Sequence, residues 1–274
     1  MGEYVMPNLQ REKIEEYLDE AGKRLDGRNA NEHRVIIVED DISPAAASAI
    51  RVKVGKTEVL CGVHLAPTTP YPDSPDEGTF MTGVELHPMA SQQFDIGRPK
   101  INAIELGRVV DRGIRESGFI DFKGLCIEKG EKVWQVFVDI IAINDDGNLL
   151  DVSGIAALIA LGRARMPVYN EEEGRAEHEF TTNGIPLNKK AMSLNMTFHQ
   201  VGKTIVTDVS KEEEHISKFR VSIAIGDNDG KPRITAMQKG KAGTINVTAM
   251  QDVLKSAEET WKELFPKIKE YAFN

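Results

Sequence analysis

The chain has 274 residues, of which 41% are hydrophobic and 28% charged, with a formal charge of −9. This is ordinary globular composition, enough for one large domain or two smaller ones, and its acidity excludes bulk electrostatic binding to a polyanion, so nucleic-acid contacts must come from local clusters. No run approaches the ~20 apolar residues of a membrane span, and Met1–Pro7 has neither the basic nor the apolar part of a signal peptide, so a soluble cytoplasmic protein is expected.

Residues 8–21 predict a short helix with Ile14, Tyr17, Leu18 and Ala21 on one face. Lys23-Arg24-Leu25-Asp26-Gly27-Arg28 follows as a basic turn. Strands are expected over Arg34–Val38, then Ala49–Val54 and Glu58–Leu65 as a hairpin around Gly55-Lys56. Pro67–Gly78 holds four prolines and reads as a loop, and Thr82–His87 as the next strand.

A helix follows that carries Arg108, Arg112 and Arg115. At ~100° per residue these fall within an arc of about 60°, with Leu106, Val109, Val110 and Ile114 opposite. The apolar face should pack on a core and display the arginines. Like charges at this spacing repel by ~0.2–0.5 kcal/mol per pair, so the stripe does not help the helix itself, although Asp111 can relieve it. A guanidinium fork fits phosphate oxygens bidentately. The stripe is therefore either a polyanion site, on a nucleic-acid path, or a solvated face with local ion pairs.

Leu125–Glu128 and Val133–Ile143 flank a hairpin turn, Lys129–Lys132. In the second strand Trp134, Val136 and Val138 alternate with Gln135, Phe137 and Asp139, and Ile140–Ile143 is apolar throughout, as in a central strand. The turn Asp145-Asp146-Gly147-Asn148 leads to a helix over Val152–Arg165 that is apolar nearly all round and so buried between layers. Residues 169–190 are polar and read as a linker. Strands near Ser193–His199, Thr204–Val209, Arg220–Ile225 and Arg233–Gln238 precede a helix over Thr248–Tyr271, with Val253, Leu254, Ala257, Trp261, Leu264 and Phe265 inward. The organisation is α+β, with two similar βα lobes: residues 1–32 as N-terminal helix and basic turn, 33–168 as first lobe, 169–190 as linker and 191–274 as second lobe.

Nucleotide-binding loops of the Walker or Rossmann type are absent. The six histidines show no ligand spacing, so no metal is expected, and His64 and His87 suit structural roles. Cys61 and Cys126 suit separate buried thiols. Lys239–Thr244 is either a strand-to-helix turn or a weak phosphate loop. Asp139, Asp145, Asp146, Asp208, Asp227 and Asp229 end strands or occupy turns. Two of them brought together could hold Mg²⁺, but aspartate is also ordinary turn chemistry. Arg28 is a weaker candidate for a phosphate path than the stripe.

Arg24-Leu25-Asp26-Gly27-Arg28, Gly55-Lys56-Thr57-Glu58-Val59, the helix Glu105–Ser117, Asp146-Gly147-Asn148-Leu149-Leu150-Asp151 and Gly240-Lys241-Ala242-Gly243 occur in this order. Together they resemble the RNase PH superfamily, most closely archaeal exosome ring subunits of the non-catalytic type, over residues 8–274. The resemblance implies an RNase PH-like fold related to domain two of ribosomal protein S-five. It also implies a hexameric ring, a trimer of heterodimers with a catalytic RNase PH-like subunit, topped by RNA-binding cap subunits. Such a ring shortens single-stranded RNA from the 3′ end with inorganic phosphate. Arg108 and Arg112 are the arginines to which the family points as RNA ligands, and helix geometry adds Arg115. Strand edges at Val133–Ile143 or in the second lobe are candidates for the subunit interface. Catalytic relatives follow the acidic turn with glycine, threonine and arginine, where this chain has Asn148, Leu149 and Leu150. Arg220 stands where they carry an aspartate. Hence no catalytic residue and no cofactor are expected in this chain. The alternatives are a phosphorolytic or Mg²⁺-dependent exoribonuclease in its own right, or an RNA-binding module outside any ring.

Overall fold

The computed structural model describes residues 7–274. In chain order the elements are α1 (Asn8–Ala21), β1 (Ile36–Glu39), β2 (Ser48–Val54), β3 (Thr57–Thr68), β4 (Thr79–Leu86), α2 (Ile101–Arg115), β5 (Cys126–Glu128), β6 (Lys132–Asn144) and α3 (Leu149–Arg163). They continue with β7 (Arg165–Asn170), β8 (Arg175–Gly184), β9 (Ser193–Val201), β10 (Thr204–Thr207), α4 (Lys211–Ile216), β11 (Arg220–Asn228), β12 (Lys231–Gly240) and α5 (Val247–Phe273).

The first sheet has the order β1-β2-β3-β6-β4, with β5 added beside β6. All its pairings are antiparallel except β4 with β6, which α2 and β5 separate in sequence. The second sheet has the order β10-β9-β11-β12. Between the sheets lies α3, touching β2, β3 and β6 on one side and β9 on the other. Every residue from Leu149 to Leu161 is buried, as an all-round apolar helix requires. One continuous core runs from β2 through α3 to α5, so the two lobes share their interior. The fold is α+β.

The approach of helices to the second sheet depends on missing side chains. Asn195 of β9 sits against Gly113 of α2 and Gly154 of α3, and a Cβ at Gly113 would come within 2.3 Å of Asn195 Oδ1. Across the same contact Asp151 of α3 accepts hydrogen bonds from Thr197 N (2.9 Å) and Thr197 Oγ1 (2.6 Å) on β9.

Three expectations change, and one element is new. The stretch 169–190 is no irregular linker: β7 and β8 form a hairpin, with Glu171–Gly174 as its turn. Tyr169 stacks edge-on against Trp134 at 5.8 Å, which anchors this polar hairpin to the first sheet. α3 starts three residues earlier than periodicity suggests, because Gly147 and Asn148 both adopt positive φ and turn the chain abruptly. α4 falls where no element is predicted. Its capping box, Ser210 with Glu213, is a sequence signal that could have found it. Finally, β6 is paired on both sides, so Val133–Ile143 offers no free edge; the outer strands are β1 and β4 in one sheet and β10 and β12 in the other.

α1 packs on the second lobe. Ile14 and Leu18 join Val201, Val206, Val209 and Ile216 in a small separate cluster, while Tyr17 is exposed. Leu254 of α5 is also partly exposed rather than inward. Among the described residues no helix is long and apolar enough to cross a membrane.

Candidate nucleic-acid interface and the adjoining cleft

α2 buries Ala103, Leu106, Gly107, Val109, Val110, Gly113 and Ile114. Gly107 lets the helix lie close to β4: a Cβ there would stand 3.3 Å from Val84 Cγ2. This fixes the roll of the helix and turns Arg108 and Arg112 outward, one turn apart. Neither makes a hydrogen bond or ion pair among the described residues. They border a depression of about 420 Å³ between α2 and the outer strand β4, with Met81, Thr82 and Gly83 on its far wall.

Arg115 differs. Its Nε and Nη2 donate to Asp111 at 3.0 and 2.8 Å, Nη2 also donates to Phe80 O at 2.8 Å, and the guanidinium lies over the rings of Phe80 and Phe122. Asp111 thus serves Arg115 alone, and Arg115 fastens α2 to β4.

Arg28 is corrected more sharply. It is 9% exposed and Arg24 is 2% exposed. Arg28 donates to Asp26 Oδ2 (2.7 Å) and to Asp208 Oδ2 (2.9 Å). Arg34 donates to both Asp208 oxygens at 2.7 and 2.9 Å and to the carbonyls of Asp146 and Gly147. Arg24 pairs with Glu213 and donates to the carbonyls of Thr207 and Asp208. Burial alone would raise the Asp208 pKa, but the Arg34 hydrogen bonds and charge outweigh it and hold the carboxyl well below the usual range. This buried network ties the basic turn to the second lobe and leaves Arg28 no reach to solvent phosphate. Nothing local in the sequence signals a partner 180 residues away.

Beside the start of α2 lies a cleft of about 220 Å³. Of the four positions at which the resemblance implies a departure, Leu149, Leu150 and Arg220 line it, although distant in sequence, while Asn148 turns away and donates to Asp208 Oδ1 at 2.9 Å. The leucines are 9% and 8% exposed and offer no side-chain donor. The cations around them already have acceptors. Arg220 Nη2 donates to Glu105 Oε1 at 2.5 Å, and Lys211 Nζ to Asp145 Oδ2 at 2.7 Å. Lys241 Nζ donates to Ser217 Oγ at 2.7 Å and to the Glu214 carbonyl. Burial and the neighbouring Lys211 and Lys241 lower the His215 pKa. Near the start of α3, where a helix would welcome an anion, Glu214 Oε2 already accepts from Asn148 N at 3.3 Å. Burial and Asp145 push the Glu214 pKa up. A phosphate dianion entering here would meet leucine side chains and would have to compete with Glu105 and Asp145 for cations they already hold.

The remaining candidates take structural places. Asp146 lies 3.6 Å from Arg34, and Asp227 accepts from Gly230 N in the β11–β12 turn, where Asp229 has positive φ. Asp139 faces outward from β6, opposite Gly62 and Gly83. Among the described residues no three His, Cys, Asp or Glu side chains converge as metal ligands. His87 meets Glu85 at 3.0 Å, and His64 lies 6.1 Å from the Phe137 ring. Lys241 is the left-handed residue of the turn after β12. Cys61 and Cys126 are both free thiols; Cys61 is buried and Cys126 only partly so.

The model of the 3′ exoribonuclease family, domain 1 (RNase PH), matches residues 32–167. The exosome complex component Rrp42 of Methanosarcina acetivorans is 40% identical over 89% of this chain and 87% of its own length. The protein of the same name from Methanocella arvoryzae is 37% identical over 98% of both chains. A solved chain from the Archaeoglobus fulgidus exosome with RNA bound to the active site superposes with a TM-score of 0.81 at 34% identity, covering 94% of this chain and 98% of that one. With this fold, and with relatives this similar along nearly its whole length, the chain belongs to the RNase PH family of 3′ exoribonucleases.

Proposed function

We infer that this chain is a non-catalytic subunit of an archaeal-type exosome ring. In this reading it pairs with a catalytic RNase PH-like subunit in a trimer of heterodimers beneath RNA-binding cap subunits, and the ring degrades RNA from the 3′ end with phosphate. Its own tasks are to wall the partner's active-site cleft and to hold RNA phosphates on Arg108 and Arg112.

One contrast carries the reading. Two unpaired guanidinium groups stand exposed on α2, while the neighbouring cleft is walled by Leu149, Leu150 and the Arg220–Glu105 pair. Burying an unpaired phosphate beside leucine costs several kcal/mol, whereas exposed arginines bind backbone without reading sequence. That suits an enzyme that must accept any RNA. The relatives named above are exosome components, and one solved relative comes from an exosome holding RNA.

The deciding assay measures phosphate-dependent release of nucleoside diphosphates by this chain alone, by its catalytic relative alone and by the two together. Activity should require the relative; turnover by the lone chain would reject the inference. In the assembly, Arg108→Ala with Arg112→Ala should weaken RNA binding and reduce the log–log salt slope by up to ~1.4. An unchanged slope would remove both residues from the RNA path. Leu149→Thr with Leu150→Arg should remain inactive because Arg220 still occupies the cleft.

A further inference from the structure

The arginine face continues past the start of α2. Residues 87–100, between β4 and α2, help enclose a second hollow of about 420 Å³ with mostly apolar walls. This hollow shares Val84, Pro99 and Ala103 with the depression beside Arg108 and Arg112. It shares Leu86, Gln93, Phe94 and Asn102 with the leucine-walled cleft. The three spaces are therefore neighbours along α2 with shared walls, and the free arginines border the one farthest from the cleft.

Two features of the middle segment point to a ligand that is more than phosphate. Phe94 is only partly buried and borders the hollow. Arg98, on its rim, is exposed and makes no hydrogen bond or ion pair among the described residues. Its neighbour Lys100 is different, being paired with Asp95. A phosphate track alone needs no apolar hollow. Lys211 Nζ lies 5.9 Å from the Phe94 ring centroid, and Glu85 and Asp95 also line the hollow. An aromatic ring in a mostly apolar hollow with Arg98 on its rim, next to the depression that Arg108 borders, suits a nucleotide with its base in the hollow and its phosphates outside.

We propose that the 87–100 loop is a nucleobase-binding subsite for single-stranded RNA: one unpaired base lies in the hollow against Phe94, and its flanking phosphates lie on Arg98 and Arg108. This rests on the reading of Arg108 and Arg112 as an RNA track and extends it by one base-holding position. Stacking tolerates any base, so the subsite would grip RNA without sequence preference.

The test uses the assembled ring, a short fluorescent single-stranded RNA, and a set of the same RNAs with one base removed at successive positions. For the unaltered protein, base removal at one position should weaken binding about tenfold. Phe94→Leu keeps apolar volume but loses the aromatic face. It should weaken binding of intact RNA by a similar factor and abolish the penalty at that position. Arg98→Ala, a surface change, should make the salt slope shallower by ~0.7. A 4-thiouridine at the sensitive position should crosslink to residues 87–100 in the unaltered protein, which is independent of any variant's folding.

If Phe94→Leu and Arg98→Ala bind every RNA as the parent does, while Arg108→Ala with Arg112→Ala weakens binding, the subsite is refuted and the phosphate track stands. If all of these variants bind as the parent does, both ideas fall. Loss of ring assembly in Phe94→Leu or Arg98→Ala, with RNA affinity of the remaining rings unchanged, would assign the hollow to a protein neighbour and overturn the subsite.

Discussion

Two arginine groups, Arg24/Arg28/Arg34 and Arg108/Arg112/Arg115, are similarly dense in sequence and opposite in fate. The first is buried (Arg34 half-buried) against Asp208 and Glu213; the second lies on the outside of α2, with only Arg115 tied down. What separates them is where carboxylates arrive in space. A guanidinium reached by a carboxylate from another element becomes a structural rivet, and one left without a partner remains free for a ligand. Arginine spacing alone cannot tell the two apart.

The comparison breaks most severely at Asp208. Replacing it with Asn removes the charge that Arg28 and Arg34 share and should cost about 3–5 kcal/mol in urea denaturation, because two buried cations lose their partner. The acid limb follows with the same sign. The folded-state pKa of Asp208 is depressed, so its contribution is fully present above the unfolded value near ~3.9 and is lost as pH falls through the folded one. The Asn variant should show a shallower acid destabilisation.

A second buried carboxylate sharpens the point. Asp151 accepts from Thr197 but has no arginine beside it, and burial pushes its pKa up to about 7. Here the folded state holds the proton more tightly than the unfolded chain. Stability should therefore fall as pH rises from the unfolded value near ~3.9 through about 7, and level off above. Asp151→Asn should flatten the melting temperature over that window. A parent profile already flat between those values would show that the guanidinium count does not set the difference between Asp151 and Asp208.

Smaller effects are expected on α2. Arg115→Ala should cost ~0.5–1 kcal/mol, from the lost Asp111 pair and ring contacts, and leave the RNA salt slope unchanged. Arg108→Ala with Arg112→Ala should change stability by less than ~0.5 kcal/mol. A large loss of stability in that double variant would place these arginines in the first class and remove the structural ground for an RNA role.

Much of the architecture was legible in the residue order. The mostly apolar stretch read as a helix over Val152–Arg165 dictates an element buried on all sides, although not its start at Leu149, and the α2 periodicity dictates which side shows arginines. The hairpins around Gly55-Lys56 and Asp227–Gly230 follow from turn chemistry. These features depend on neighbours within a few residues, where backbone geometry leaves few choices. The β7–β8 hairpin was hidden, because its polar strands are held by pairing and by Tyr169 against Trp134, not by an apolar face.

The site divided along the same line. Side-chain chemistry and helical period alone determined that Arg108 and Arg112 face outward together and that leucine cannot serve a phosphate. Tertiary structure alone decided that Arg28 is buried, that Arg115 also reaches the Phe80 carbonyl, that Glu105 neutralises Arg220, and that Phe94 borders a hollow next to the free arginines. The physical reason is range: periodicity acts over one or two turns of chain, whereas these contacts join residues from 35 to 180 positions apart, and only the packed fold chooses those partners.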